Sequence, residues 1–291
     1  MIKINSFVQI VLTATAIGTF AGPAAAEPAL WVAKSGKTTA YLFGTFHLLK
    51  KDAVWFTPKV EKAFSQSNEL WLEIADGDDK AAMKSVIMQY GVDAAHPLST
   101  KLSAEDKGLL QKDAATLGAP AAVFEPMRPW LVALQLTVAP MVKAGFDPAG
   151  GADRVLKDKA AARHEPLRAF ETATGQMKFF ADLPMPTEVA FLHTTLRDFD
   201  GMLPKMNDAA QLWVDGKPDE IDTKLTGKLR AESPELYKVL LKDRNDEMAR
   251  KLLERMKAGG TIFVAVGAAH LAGPDSIQKA LERAGVTAKR L

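Results

Sequence analysis

Two histidines stand in matching contexts near opposite ends of this chain. One is His47 in "FGTFHLLK", residues 43–50, and the other is His270 in "VGAAHLAG", residues 266–273. Each stretch reads apolar residue, Gly, two residues, His, Leu. A chain with 20 Gly and 5 His among 291 residues supplies an isolated Gly-x-x-His easily, so context has to decide. A pair of imidazoles offers acid–base chemistry or two nitrogen ligands for a divalent ion. Glu73 in "LWLEIA" and Glu171 after "PLRAF" are the carboxylates nearest in kind. His47, His270 and Glu73 together make a reasonable divalent-metal set, with Glu73 as third ligand or as general base. Arg244 is a candidate cation for a developing oxyanion. Each residue also has a plainer role. The histidines could be hydrogen-bonded turn residues, and Glu73 could face solvent. Glu171 could be an acid at a helix N-terminus, and Arg244-Asn245 a solvated helix face.

The elements around the two histidines match as well. Ala29–Lys34 and Thr38–Phe43 read as strands joined at Ser35-Gly36-Lys37, a hairpin signal. Gly44 and His47 follow, then a helix over Thr57–Ser67 with Thr57 as cap and Pro58 in its first turn, then a strand over 69–76. Near the C-terminus "TIFVAV", 261–266, is a continuous β-branched and aromatic run. Gly267 and His270 follow, then a helix over Pro274–Ala284 and a closing strand "VTAKRL". Strand, Gly-x-x-His, helix, strand thus occurs twice. Apolar strands suit the interior of a covered sheet, and ligands bind beyond the carboxyl ends of such strands. Strands 38–43 and 261–266 are therefore expected to be parallel and close in one sheet.

The stretch between, about 78–256, reads as a helical insertion. Helices are expected from Ser103 to Leu117, over Met127–Ala144 with a kink at Pro140, and over Gly151–Arg163, Pro186–Phe199 and Leu203–Val214. Another runs from Ser233 to about Met256. "PLRAF", 166–170, reads as a short buried strand. His96, His164 and His193 are assigned structural roles. No zincin motif, Gly-x-Ser-x-Gly elbow, Walker loop or Gly-x-Gly-x-x-Gly is present, which removes support for standard serine-hydrolase and nucleotide-binding readings.

Composition sets outer bounds. Lys3, the uncharged run Phe7–Phe20 and Ala24-Ala25-Ala26 form a signal-peptide pattern over residues 1–26. The run is shorter than a membrane span, so cleavage before Glu27, no stable membrane insertion and a periplasmic or secreted protein are expected. The remaining residues suffice for one large domain or two small ones. Cysteine is absent and the formal net charge is +2, which argues against a disulfide framework and against nucleic-acid binding.

"YLFGTFHLL", "LWLEIAD", "RPW" at 128–130, "GAD" at 151–153, "FETATGQ" at 170–176, "RN" at 244–245 and "FVAVGAAHLAG" occur in the order expected of the TraB/GumN family. The chain resembles that family over essentially all of residues 27–291. The family is related to the Tiki proteins, described as membrane-tethered metallopeptidases. The resemblance implies an α/β core with a mixed sheet, built from the two end units, and one active site shared between His47 and His270. Glu73 matches its acidic position; Glu171, Gln176, Arg244 and Asn245 match further motif positions. The implied function is a metal-dependent, peptidase-like hydrolase outside the cytoplasm, using Mn, Co or Zn on a peptide or protein substrate. Arg128 and Asp153 carry no mechanism on spacing alone. The alternatives are a non-catalytic binding protein for peptide, haem or metal, and an accessory factor in exopolysaccharide assembly.

Overall fold

Ser35 faces Thr38 across the Gly36-Lys37 turn, and Gly36 takes a positive φ of 55°, as a two-residue hairpin requires. This joins β1 (Leu30–Ser35) to β2 (Thr38–Thr45). The computed structural model describes residues 27–291, so the expected signal peptide lies outside the described residues. The next neighbour of β2 is β5 (Gly260–Gly267), parallel to it, with Phe43 opposite Ala265 and Thr45 opposite Gly267. The expected pairing of the two end units is therefore observed. β3 (Leu70–Ile74) lies parallel to β5 on its other side, and β4 (Leu167–Glu171) lies parallel to β3. β6 (Ala288–Arg290) closes the far edge antiparallel to β1, giving the order β4-β3-β5-β2-β1-β6.

The sheet is covered on both faces, which is why its central strands are apolar throughout. Leu30, Phe43, Leu70 and Phe263 pack with Trp55, Phe64, Leu156 and Trp213 on one face. Leu42, Ile262, Val264 and Val266 pack with Met248, Leu252, Ile277 and Leu281 on the other. Helix Pro58–Ser65 is capped by Thr57, whose side chain accepts from the Val60 N–H. It carries the chain from β2 to β3 over the first face. Further from the sheet, helices Ala104–Leu117, Pro129–Lys143 and Met185–Val214 close a separate core around Leu110, Val132, Leu136, Leu192 and Leu196.

The insertion between β3 and β5 is mainly helical, with the strand expected near 166–170 present as β4. Several expectations need correcting. β4 is an edge strand with only Phe170 fully buried, not a buried one. The two helices expected over 186–199 and 203–214 are one continuous helix, Met185–Val214, which runs through Gly201 and Pro204. Its buried residues reach from the helical core (Leu192, Leu196) to the sheet (Leu212, Trp213), and this packing offsets the helix-breaking cost of the proline. The last helix begins at Ile277, and the closing strand is only three residues long. The second unit differs from the first: its strand leaves to the opposite edge. Among the described residues no helix is long and apolar enough to cross a membrane.

Candidate active site

The two Gly-x-x-His devices meet at the carboxyl ends of β2 and β5, and the glycines are what lets them approach. A Cβ on Gly44 would stand 3.1 Å from Ala268 Cα, so the first glycine makes room for the turn that follows β5. A Cβ on Gly267 would stand 2.9 Å from Glu73 Oε2 and 3.5 Å from His47 Nε2. The second glycine therefore makes room for the acid and the opposite histidine. Gly44 lies opposite Val266 and Thr45 opposite Gly267, so the devices are one residue out of step. One histidine is consequently outside and the other inside. The His47 side chain is 56% exposed and that of His270 is 4% exposed.

Glu73 sits between them. It is buried, which overturns the solvent-facing alternative. Oε1 accepts from Gln176 Nε2 at 2.9 Å and Arg244 Nη2 at 2.6 Å, and Oε2 accepts from the Gly267 N–H at 2.5 Å. His270 Nε2 lies 3.4 Å from Oε1 and His47 Nε2 lies 3.8 Å from Oε2. Burial alone would raise the pKa of this carboxyl. His270, His47 and Arg244 together outweigh burial and hold it well below the ordinary carboxylate range.

His47 is held from outside by the segment before and into helix Ala152–Ala162. A Cβ on Gly151 would stand 2.4 Å from the His47 carbonyl oxygen, so only glycine lets this segment lie against the loop. The Ala152 N–H donates to the Phe46 carbonyl, and Asp153 Oδ1 meets His47 Nδ1 at 3.0 Å. A histidine bonded through Nδ1 to a carboxylate, with Nε2 free for chemistry, is a recurrent catalytic and metal-site arrangement. Desolvation pulls the His47 pKa down. The hydrogen bond to Asp153 and the charges of Glu73 and Asp153 outweigh it, with Arg244 opposing, and the pKa rises to about 9.

Arg244 and Asn245 are adjacent on one helix, and both reach the site. The turn before them, Lys238–Lys242, is a π-helix, and the Leu240 carbonyl in it accepts from Arg244 Nη1. Such widened turns are frequent at functional sites. Arg244 Nε and Nη2 bond both oxygens of Glu171 at 2.9 and 2.8 Å while Nη2 also reaches Glu73. Gln176 bridges the same two acids. Glu171 is thus drawn into the site at the end of β4. With Nε and Nη2 committed to carboxylates, Arg244 acts as a clamp on the acid pair, and oxyanion stabilisation is left with little of its donor capacity. On the buried side, His270 Nδ1 lies 2.5 Å from Asn245 Oδ1, and Asn245 Nδ2 donates to the Asp275 carbonyl at 2.8 Å.

The structure therefore brings together His47, Glu73, Glu171, Arg244 and His270. It adds Asp153, Gln176 and Asn245 as their partners. The sequence marked these three only as motif positions, because partners so distant in the chain leave no signature in spacing. Arg128 lies elsewhere: it ties the Tyr90 and Ala181 carbonyls to the buried Glu188. His193 bonds Asp106 and His96 bonds Asp93, both away from the site. A cleft of about 610 Å³ opens beside His47 and Asp153, between residues 74–80 and helix Ala152–Ala162.

Two imidazole nitrogens within 3.8 Å of one carboxylate supply the donor types of a divalent-ion site. Among the described residues the acidic and imidazole side chains do not close into a ready-made cage, so an ion would seat chiefly on the two nitrogens, with Glu73 as the balancing charge. In comparisons with known proteins, no curated protein and no solved structure matches the chain. A family model does: that of the TraB/PrgY/gumN family, over residues 29–290.

Proposed function

The chain belongs to the TraB/PrgY/gumN family, and on that premise we propose that it is a metal-dependent, peptidase-like hydrolase acting in the periplasm or outside the cell. The observation that carries this reading is the convergence of His47 and His270, from opposite ends of the chain, on the one buried carboxylate of Glu73. His47 and His270 would hold a divalent ion (Mn, Co or Zn), with the Glu73 carboxylate beside them as its balancing charge. When bound, such an ion supplies Lewis-acid polarisation of a carbonyl.

The chain's own residues divide the remaining work. Glu73 takes three donated hydrogen bonds and stays ionised, so it serves as a fixed negative charge and is a poor proton acceptor. His47 faces the cleft, and Asp153 orients its ring. Arg244 and Gln176 keep Glu73 and Glu171 at fixed separation despite their like charge. The cleft, with Leu72, Ile74 and Pro148 among charged residues of both signs, suits an extended peptide segment. Location outside the cytoplasm rests on the signal pattern of residues 1–26, and mature protein from its host is expected to begin at Glu27.

The same cleft suits a binding protein that holds its ligand without turnover. The test separates the two. Purified protein, His47→Ala and His270→Ala are analysed for metal content, then assayed against a peptide library with Mn, Co and Zn added back. Retained metal and cleavage in the parent, both lost in the variants, support the hydrolase. Retained metal with no cleavage supports the binding protein, and no metal in any form removes the proposed centre.

A further inference from the structure

His47 and His270 are equivalent in motif, yet their Nδ1 atoms face different chemistry: a carboxylate for His47 and a side-chain amide for His270. A carboxylate can only accept. An amide can accept through oxygen or donate through nitrogen, so which end Asn245 presents decides where the His270 proton sits. The structure settles that end from outside. Asn245 lies 2.8 Å from the backbone carbonyl of Asp275, which has no proton to give. The amide end facing it has to be the NH2 group, and Oδ1 is left facing His270. The segment bearing Asp275 is itself fixed, because Tyr237 OH donates to the Asp275 side chain at 2.9 Å. Asn245 is 2% exposed, so no water competes for its position.

We infer that Asn245, oriented by the Asp275 carbonyl, is a positioning residue that keeps a proton on His270 Nδ1, so that Nε2, 3.4 Å from the Glu73 carboxylate, is the nitrogen that gives up its proton and becomes the electron-pair donor toward the site. A neutral histidine without such a partner favours the other tautomer, with its proton on Nε2. That form would point N–H where a ligand lone pair is needed. In this inference the second Gly-x-x-His functions only together with Asn245 and Asp275. The tautomer assignment stands on hydrogen bonding alone; its consequence for metal affinity rests on the function proposed above.

The test uses the mature chain with 15N-labelled histidine. Long-range 1H–15N spectra assign His270 by its loss in His270→Ala and report the tautomer of the neutral ring directly. The parent should show Nδ1–H. Asn245→Ala should shift the ring toward Nε2–H, and Asn245→Asp, which keeps an acceptor, should retain Nδ1–H. Titration with Zn2+ alone should then show affinity about 10- to 100-fold weaker in Asn245→Ala and a smaller loss in Asn245→Asp. An Nε2–H tautomer in the parent, or an unchanged tautomer in Asn245→Ala, overturns the inference, and the parent spectrum decides even if the alanine variant does not fold. A parent that shows Nδ1–H and binds no metal would refute the proposed function while leaving Asn245 in this role.

Discussion

The Gly267 N–H donates to Glu73 Oε2 at 2.5 Å, and a methyl group on that glycine would stand 2.9 Å from the same oxygen. The contact is therefore both a bond and a steric limit. Gly267→Ala should push the carboxylate out of place at about 1–3 kcal/mol in stability, the usual scale of overpacking. Metal retention should fall to the level of His270→Ala. Calorimetric unfolding and metal analysis of one preparation measure both effects, and a variant that folds and loads normally would show that the glycine is dispensable.

His47 should titrate at about 9 in metal-free protein, well above its ordinary 6.5. Since the folded-state value is the higher one, the stability this group contributes is complete below about 6.5 and is lost as pH rises through about 9. Ring proton shifts followed by NMR give the value, and melting temperatures in chelator across that window give the slope. Asp153→Asn should bring the titration down and flatten the slope. A ring that titrates at its ordinary value in the parent would contradict the role given to Asp153.

Arg244 is 11% exposed and bridges Glu73 and Glu171, which are 7% and 11% exposed. Arg244→Ala leaves the buried Glu73 and the part-buried Glu171 side by side without their cation. A loss of about 3–5 kcal/mol is expected, as for other broken buried pairs, measured by urea unfolding. Glu171→Gln keeps the packing and one acceptor, so it should cost distinctly less. Equal losses in the two variants would mean that the clamp is not what holds the acids.

His193→Ala should leave metal affinity unchanged while lowering stability, because His193 bonds the buried Asp106 within the helical region. Isothermal titration beside His47→Ala and His270→Ala is the comparison, and weakened metal binding would bring His193 into the centre.

The two end units were legible because continuous apolar runs, a glycine exit and a histidine are local signals. Their pairing followed from the need to bury both runs. The long helix Met185–Val214 was not legible as one element, since Gly201 and Pro204 argue locally for a break and only tertiary packing overrides them. The histidines and Glu73 could be singled out by residue type. Asp153 and Asn245 could not be given a role, because nothing in their spacing says that one reaches His47 across 106 residues and the other His270 across 25.

The pairing of β2 with β5 also sets the order of events in the life of each molecule. An emerging chain carries His47, Glu73 and Glu171 long before His270 exists to join them, and β3 has no β5 beside it until residues 260–267 are delivered. Such long-range pairing is slow to form and comes late. A chain stopped before residue 260 would hold His47 and Glu73 without His270, and β2 and β3 without the strand that lies between them. The arrangement of His47, Glu73 and His270 is thus withheld by topology alone until the final strands have arrived.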